Sequence, residues 1–167
     1  MMLLASLSCG GGSNRAGKRV FLALQVEALD GGTVDLASYR GRVVILHLFT
    51  TWSLAAQGDL PQLVELDARY REQVSVLGVG LDPDGYRLVA PWRQANQIPY
   101  LVTLGLPDLL AGKSSLGPIT HVPTTIVLDR DGLVTARIDG PLQPGQLARI
   151  LAQRGIAPAP ASCKNDC

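Results

Sequence analysis

The sequence predicts an α/β fold in which a central mixed β-sheet is flanked by α-helices and preceded by an N-terminal β-hairpin. Three observations carry that expectation. Two near-continuous apolar runs, Val43-Val44-Ile45-Leu46-His47-Leu48-Phe49 and Val74 to Leu81, read as strands covered on both faces. Between them, Ser53 to Glu72 sets Leu60, Leu63, Val64, Leu66 and Tyr70 three and four residues apart where they recur, the period of a helix face. Strands then alternate with helices until a terminal hairpin and a last helix, the pattern of a sheet layered by helices.

The elements follow in order. Leu22 to Ala28 alternates apolar and polar residues, and Asp30-Gly31-Gly32 turns the chain into Thr33-Val34-Asp35-Leu36, a hairpin signal. Ala37 to Gly41 reads as a short helical turn closed by glycine. After the strand Val43–Phe49 comes the helix from Ser53 to Glu72, which Pro61 should kink. Val74 to Leu81 is the next strand, Pro83 to Gln97 a helix and Pro99 to Leu104 a short strand. Thr124 to Leu128 and Leu133 to Ile138 form a hairpin about Asp129-Arg130-Asp131-Gly132. The last helix spans Pro144 to Arg154 and is stopped by Gly155.

A chain of 167 residues with 47% apolar and 17% charged side chains is expected to bury a real core. The net charge is +1 and Lys and Arg form no run, which argues against nucleic acid or anionic lipid as an electrostatic partner. The longest uncharged stretch of the body, Val43 to Gly58, is broken by polar residues and is no membrane span. All three cysteines, Cys9, Cys163 and Cys167, lie outside the predicted elements. No cofactor and no metal site is expected.

Four blocks of this chain resemble the TlpA/ResA-like branch of the thioredoxin family. They are Leu29 to Val44, Phe49-Thr50-Thr51-Trp52 with Asp59-Leu60-Pro61, Val79-Gly80-Leu81-Asp82, and Val122-Pro123-Thr124-Thr125-Ile126-Val127-Leu128-Asp129-Arg130-Asp131-Gly132. The likeness covers about residues 20 to 154 and implies a thioredoxin-like fold. It also implies a thiol-disulfide oxidoreductase site at the start of the long helix, where the family carries Trp-Cys-x-x-Cys. Here that stretch reads Trp52-Ser53-Leu54-Ala55-Ala56, so Ser53 and Ala56 stand at the cysteine positions. The Thr50-Thr51-Trp52-Ser53 segment is similar to the Thr-x-x-Cys of peroxiredoxins, again with Ser53 in place of the sulfur.

Disulfide exchange needs a thiolate to attack and a second thiol to resolve the mixed disulfide. Ser53 supplies neither and Ala56 has no reactive group, so conventional CxxC activity is not expected. Serine is among the best helix N-caps, which accounts for Ser53 structurally. The functional alternative is a nucleophile activated by His121, with Asp59 as orienter. His47, the second of two histidines, falls inside the central strand, where a core or sheet-edge position suits it better.

In the family, the residue before the loop proline offers its backbone to an extended peptide, in the manner of strand addition. Val122 and Pro123 occupy those positions; the alternative is that Pro123 only shapes the fold. Trp52, partly exposed in the family, is expected to contact a partner; the alternative is that it simply covers the helix end. The implied function is a non-catalytic module that binds an extended peptide segment or an envelope protein through Trp52, Ser53, Val122 and Pro123. The alternative is oxidoreductase or redoxin-like activity that uses the tail cysteines or a partner's thiols.

Residues 1–19 read as leader and tether. Met1 to Ser8 is apolar and small, and Gly10-Gly11-Gly12-Ser13-Asn14 follows Cys9. The arrangement resembles the end of a bacterial lipoprotein signal, with Cys9 lipidated, and implies a periplasmic or envelope location; an incidental cysteine would leave the protein cytoplasmic. Membrane contact is expected only through such an anchor. Residues 155–167 read as a Pro/Ala tail. There the spacing of Cys163 and Cys167 permits a local disulfide in an exported protein and gives too few ligands for zinc.

Overall fold

The computed structural model describes residues 24–29, 31–105 and 107–159. Cys9, Cys163, Cys167 and the leader 1–19 lie outside the described residues. Seven strands form one sheet, β1 (Gln25–Ala28), β2 (Thr33–Asp35), β3 (Val43–Phe49), β4 (Val74–Gly80), β5 (Leu101–Leu104), β6 (Thr124–Leu128) and β7 (Val134–Asp139), in the order β2-β1-β5-β4-β3-β6-β7. β3, β4 and β5 are parallel neighbours, while β6 pairs antiparallel with β3 and β7 with β6. The N-terminal hairpin adds β1 antiparallel to β5, in register Glu27↔Leu104 and Ala28↔Thr103. The helices are α1 (Leu54–Tyr70), α2 (Tyr86–Ala95), α3 (Pro107–Leu110) and α4 (Gln146–Ala152).

β3 is buried at all seven positions, and its alternation divides the core. Val43, Ile45 and Phe49 pack with Ala56, Leu60, Leu63, Leu66 and Tyr70 of α1, Val89 of α2, and Leu147 and Leu151 of α4. Val44, Leu46 and Leu48 face the other way, against Val26, Leu36, Leu109, Ile126 and Leu128. A strand sandwiched in this way carries apolar residues on both faces, which is why its sequence shows no polar alternation.

Several boundaries differ from the sequence expectation, each for a local reason. The helical turn after β2 is a 3-10 turn over Leu36–Tyr39, because Asp35 ends the strand and its carboxylate accepts the Ala37 amide at 2.9 Å. α2 starts at Tyr86 rather than Pro83: Gly85 at φ +43 closes a turn on the Asp82 carbonyl before the helix begins. α1 runs through Pro61 to Tyr70, with the proline on its exposed side and the Gln57 carbonyl deprived of its i+4 amide. The four-residue α3 had no periodicity to announce it. Past α4 the chain stays packed: Ile156 is buried, and the Ala159 amide donates to the Arg69 carbonyl at 2.8 Å.

Candidate functional site

The C-terminal ends of the parallel strands β3, β4 and β5 share one edge of the sheet. Open sheets of this kind meet ligands at that edge, where successive connections leave in opposite directions. Here the branch point is β3, which has β4 on one side and β6 on the other. β6 begins at Thr124, opposite Leu48. The residues just before Thr124 and those just after Phe49 therefore leave the sheet side by side, which juxtaposes the 121–123 loop with the 50–53 loop.

The second loop is held from several directions. The buried Asp82 carboxylate, at the end of β4, accepts the Thr51 amide at 3.1 Å and the Thr51 hydroxyl at 2.6 Å. The Gln57 side-chain amide donates to the Thr51 carbonyl at 3.1 Å. Ser53 has extended backbone angles and its hydroxyl accepts the Ala56 amide at 3.3 Å, while its carbonyl accepts the Gln57 amide at 3.1 Å. It is the N-cap of α1. Ala56 is fully buried beneath it. The anchoring role of Asp82 went unread in the sequence; an acidic residue directly after a buried strand was the available signal.

The facing loop is equally fixed. The Val122–Pro123 bond is cis, Pro123 is buried, and its carbonyl accepts the Gly140 amide at 2.8 Å. The Thr124 hydroxyl lies 2.7 Å from the His121 carbonyl and 2.9 Å from Asp139 Oδ1. Against this rigid frame, Trp52 is 70% exposed, Leu54 81% and Val122 37%. All three belong to the loops and the helix start beside the C-terminal end of β3.

The Ser53–His121–Asp59 arrangement does not form. Each residue bonds elsewhere: Ser53 to the Ala56 amide, exposed His121 through Nδ1 to Thr120 Oγ1 at 3.0 Å, and Asp59 Oδ1 to the Leu142 amide at 2.9 Å. Asp59 belongs to the buried face of α1, aimed at the turn before α4. Burial raises its carboxyl pKa above the ordinary value, an effect the Leu142 amide partly offsets. His47 is a core residue. Its Nδ1 lies 3.0 Å from Thr125 Oγ1 and its ring stacks on Phe49, which stacks on Trp92. Desolvation pulls its pKa down to about 4, so the ring is neutral near pH 7. Among the described residues no three His, Cys, Asp or Glu side chains gather as a metal site.

A parallel β3–β4–β5 core, backed by the β6–β7 hairpin and entered through a cis-proline loop, defines a thioredoxin-fold protein. A thiol:disulfide interchange protein of the thioredoxin family from Chlorobium tepidum TLS shares the fold with a TM-score of 0.71 at 23% identity, over 84% of this chain and 98% of that one. StoA from Bacillus subtilis does so with a TM-score of 0.63 at 22% identity, over 78% and 97%. Residues 18–137 match the AhpC/TSA family, and the chain belongs to that family, in its TlpA/ResA-like part. A thiol-disulfide oxidoreductase ResA of Bacillus cereus is 28% identical over 127 residues, 75% of this chain and 71% of that protein. ResA of Oceanobacillus iheyensis is 29% identical over 136 residues, 79% and 66%.

The fold is that of a thiol-disulfide oxidoreductase, yet none of the described residues is a cysteine. The start of α1 presents a capped serine between two exposed apolar side chains. A serine hydroxyl stays protonated near neutral pH and forms no S–S bond, so the Ser53 hydroxyl itself cannot carry disulfide exchange.

Proposed function

We propose that this protein is a non-catalytic member of its family, which binds an extended peptide segment or an envelope protein at the edge formed by Trp52, Ser53, Val122 and Pro123. The observation that carries the reading is the pairing of a capped, unreactive Ser53 with exposed Trp52 and Leu54 on either side of it. Indole and isobutyl groups in that position offer contact area at low conformational cost. Localisation in the cell envelope, with Cys9 as a lipid anchor, is part of the same proposal. Palmitate labelling that is lost in Cys9→Ser tests the anchor.

The binding reading is tested in two steps. Insulin reduction under dithiothreitol, and mass-spectrometric trapping of Cys163 and Cys167 in glutathione buffers, should stay at background for the full chain. Titration with unstructured peptides should then shift the amide resonances of residues 50–57 and 121–124, and Trp52→Ala should abolish those shifts without a change in melting temperature. Turnover that disappears in Cys163→Ala would assign redox activity to the tail and overturn the proposal.

A further inference from the structure

A concavity that shares none of the residues of that edge lies between the end of β1 and helix α2. It holds about 470 Å³, within the range of small-ligand sites. Leu29, Ala90 and Ile98 supply its apolar lining, Tyr86 stands at the start of α2, and Arg93, Gln94 and Gln97 bring the polar groups. Among the described residues no acidic side chain lines it; Glu27 is paired with Leu104 and is not part of the lining. Among the described residues the ion pairs are Arg69–Glu65, Arg71–Asp67 and Arg137–Asp139, and the Arg93 guanidinium has neither an ion pair nor a hydrogen bond. The side-chain amides of Gln94 and Gln97 and the Tyr86 hydroxyl likewise bond to no described residue.

Gln97 adds an independent observation. The Gln97 amide donates to the Gln94 carbonyl at 3.1 Å and the Ile98 amide to the Arg93 carbonyl at 3.2 Å, so α2 ends in a Schellman cap. The residue at its centre must be left-handed, and Gln97 sits there at φ +51. Glycine fills that position without strain. A glutamine there is strained, and the cap itself gains nothing from its side chain. That side chain lines the groove.

We propose that this groove binds a monocarboxylate with an apolar body, through the Arg93 guanidinium and the Gln97 amide. The fork of a guanidinium matches the two oxygens of a carboxylate, and the one guanidinium in the lining neutralises a single negative charge. Leu29, Ala90 and Ile98 take the hydrocarbon. A free organic acid and the C-terminal carboxylate of a peptide share this chemistry. The site shares no residue with the Trp52 edge and does not depend on the function proposed for it.

The test is calorimetric titration of the full chain with acetyl-Ala-Ala-Leu as the free acid, the same peptide as its amide, and 4-methylpentanoate. The acid should bind at least about tenfold tighter than the amide. Arg93→Gln should bring the acid to the level of the amide at unchanged melting temperature. Gln97→Gly should raise the melting temperature and still weaken the acid. Affinity for 4-methylpentanoate equal to the peptide acid marks a free acid as the ligand, and weaker affinity marks a chain terminus. Equal binding of acid and amide, undiminished binding by Arg93→Gln, or no heat from any probe up to about 10 mM would overturn the proposal.

Discussion

At Ser53 the hydroxyl satisfies one of the free amides of the first turn of α1. Ser53→Ala should therefore cost about 1 kcal/mol of unfolding free energy, read from urea denaturation. Trp52→Ala, by contrast, removes a side chain that is mostly in water and should stay within about 0.5 kcal/mol of the parent. His47 ties stability to pH. Its folded pKa of about 4 lies below the ordinary 6.5, so the unfolded chain binds the proton more readily. The associated stability is complete above pH 6.5 and is lost as pH falls toward 4, by about 3 kcal/mol at most. Asp59 acts in the opposite sense: its raised pKa lets the folded state take up a proton first, which favours the fold as pH falls through that value. Unfolding free energy measured between pH 7 and 4 should show the His47 loss in the parent and not in His47→Leu. The sequence placed His47 in a central strand. It could not show the Thr125 partner, because that contact exists only once β3 and β6 are paired in register.

At the scale of elements, α1 carries an interior proline and still forms 17 residues of helix. The buried stripe of Ala56, Leu60, Leu63, Leu66 and Tyr70 holds it to the sheet, so packing outweighs the missing hydrogen bond. Pro61→Ala should restore the bond to the Gln57 carbonyl and raise stability by roughly 1–2 kcal/mol, after allowing for the greater freedom of the unfolded alanine chain. Leu63→Ala should lower it by about 2–5 kcal/mol, since Leu63 is fully buried beneath the sheet. Both values come from denaturant midpoints at constant slope. The long elements were legible because their hydrophobic periods persist over many residues. Their ends were less so. Gly85 and Asp35 are ordinary turn residues in the sequence, and only the bonds they make show where α2 begins and β2 stops.

For the whole molecule, the proposed reading of Ser53 and Ala56 as the cysteine positions of the family has a test by gain of activity. Ser53→Cys with Ala56→Cys places a thiol at the N-terminus of α1, where helix amides lower its pKa, and a second on the buried residue that would resolve the mixed disulfide. Insulin reduction by the folded double variant should rise above the background of the parent; a folded but inactive variant would count against the assignment of Ser53 and Ala56 to the cysteine positions. The fold and the juxtaposition of these two loops were readable together because the loop after β3 and the loop before β6 both carry distinctive residues. The Arg93 groove was not, since β1 and α2 contribute residues far apart in the chain and none of a recognisable spacing. The N-terminal hairpin has one more consequence. Because β1 runs antiparallel to β5 with Glu27 opposite Leu104, Gln25 and Leu24 lie beyond the C-terminal end of β5, on the same side as Trp52. Ala159, bonded to the end of α1, lies at the other side of the sheet. A handle fused ahead of Leu24 would crowd the edge that carries Trp52, whereas one fused after Ala159 would hold the molecule with that edge turned outward.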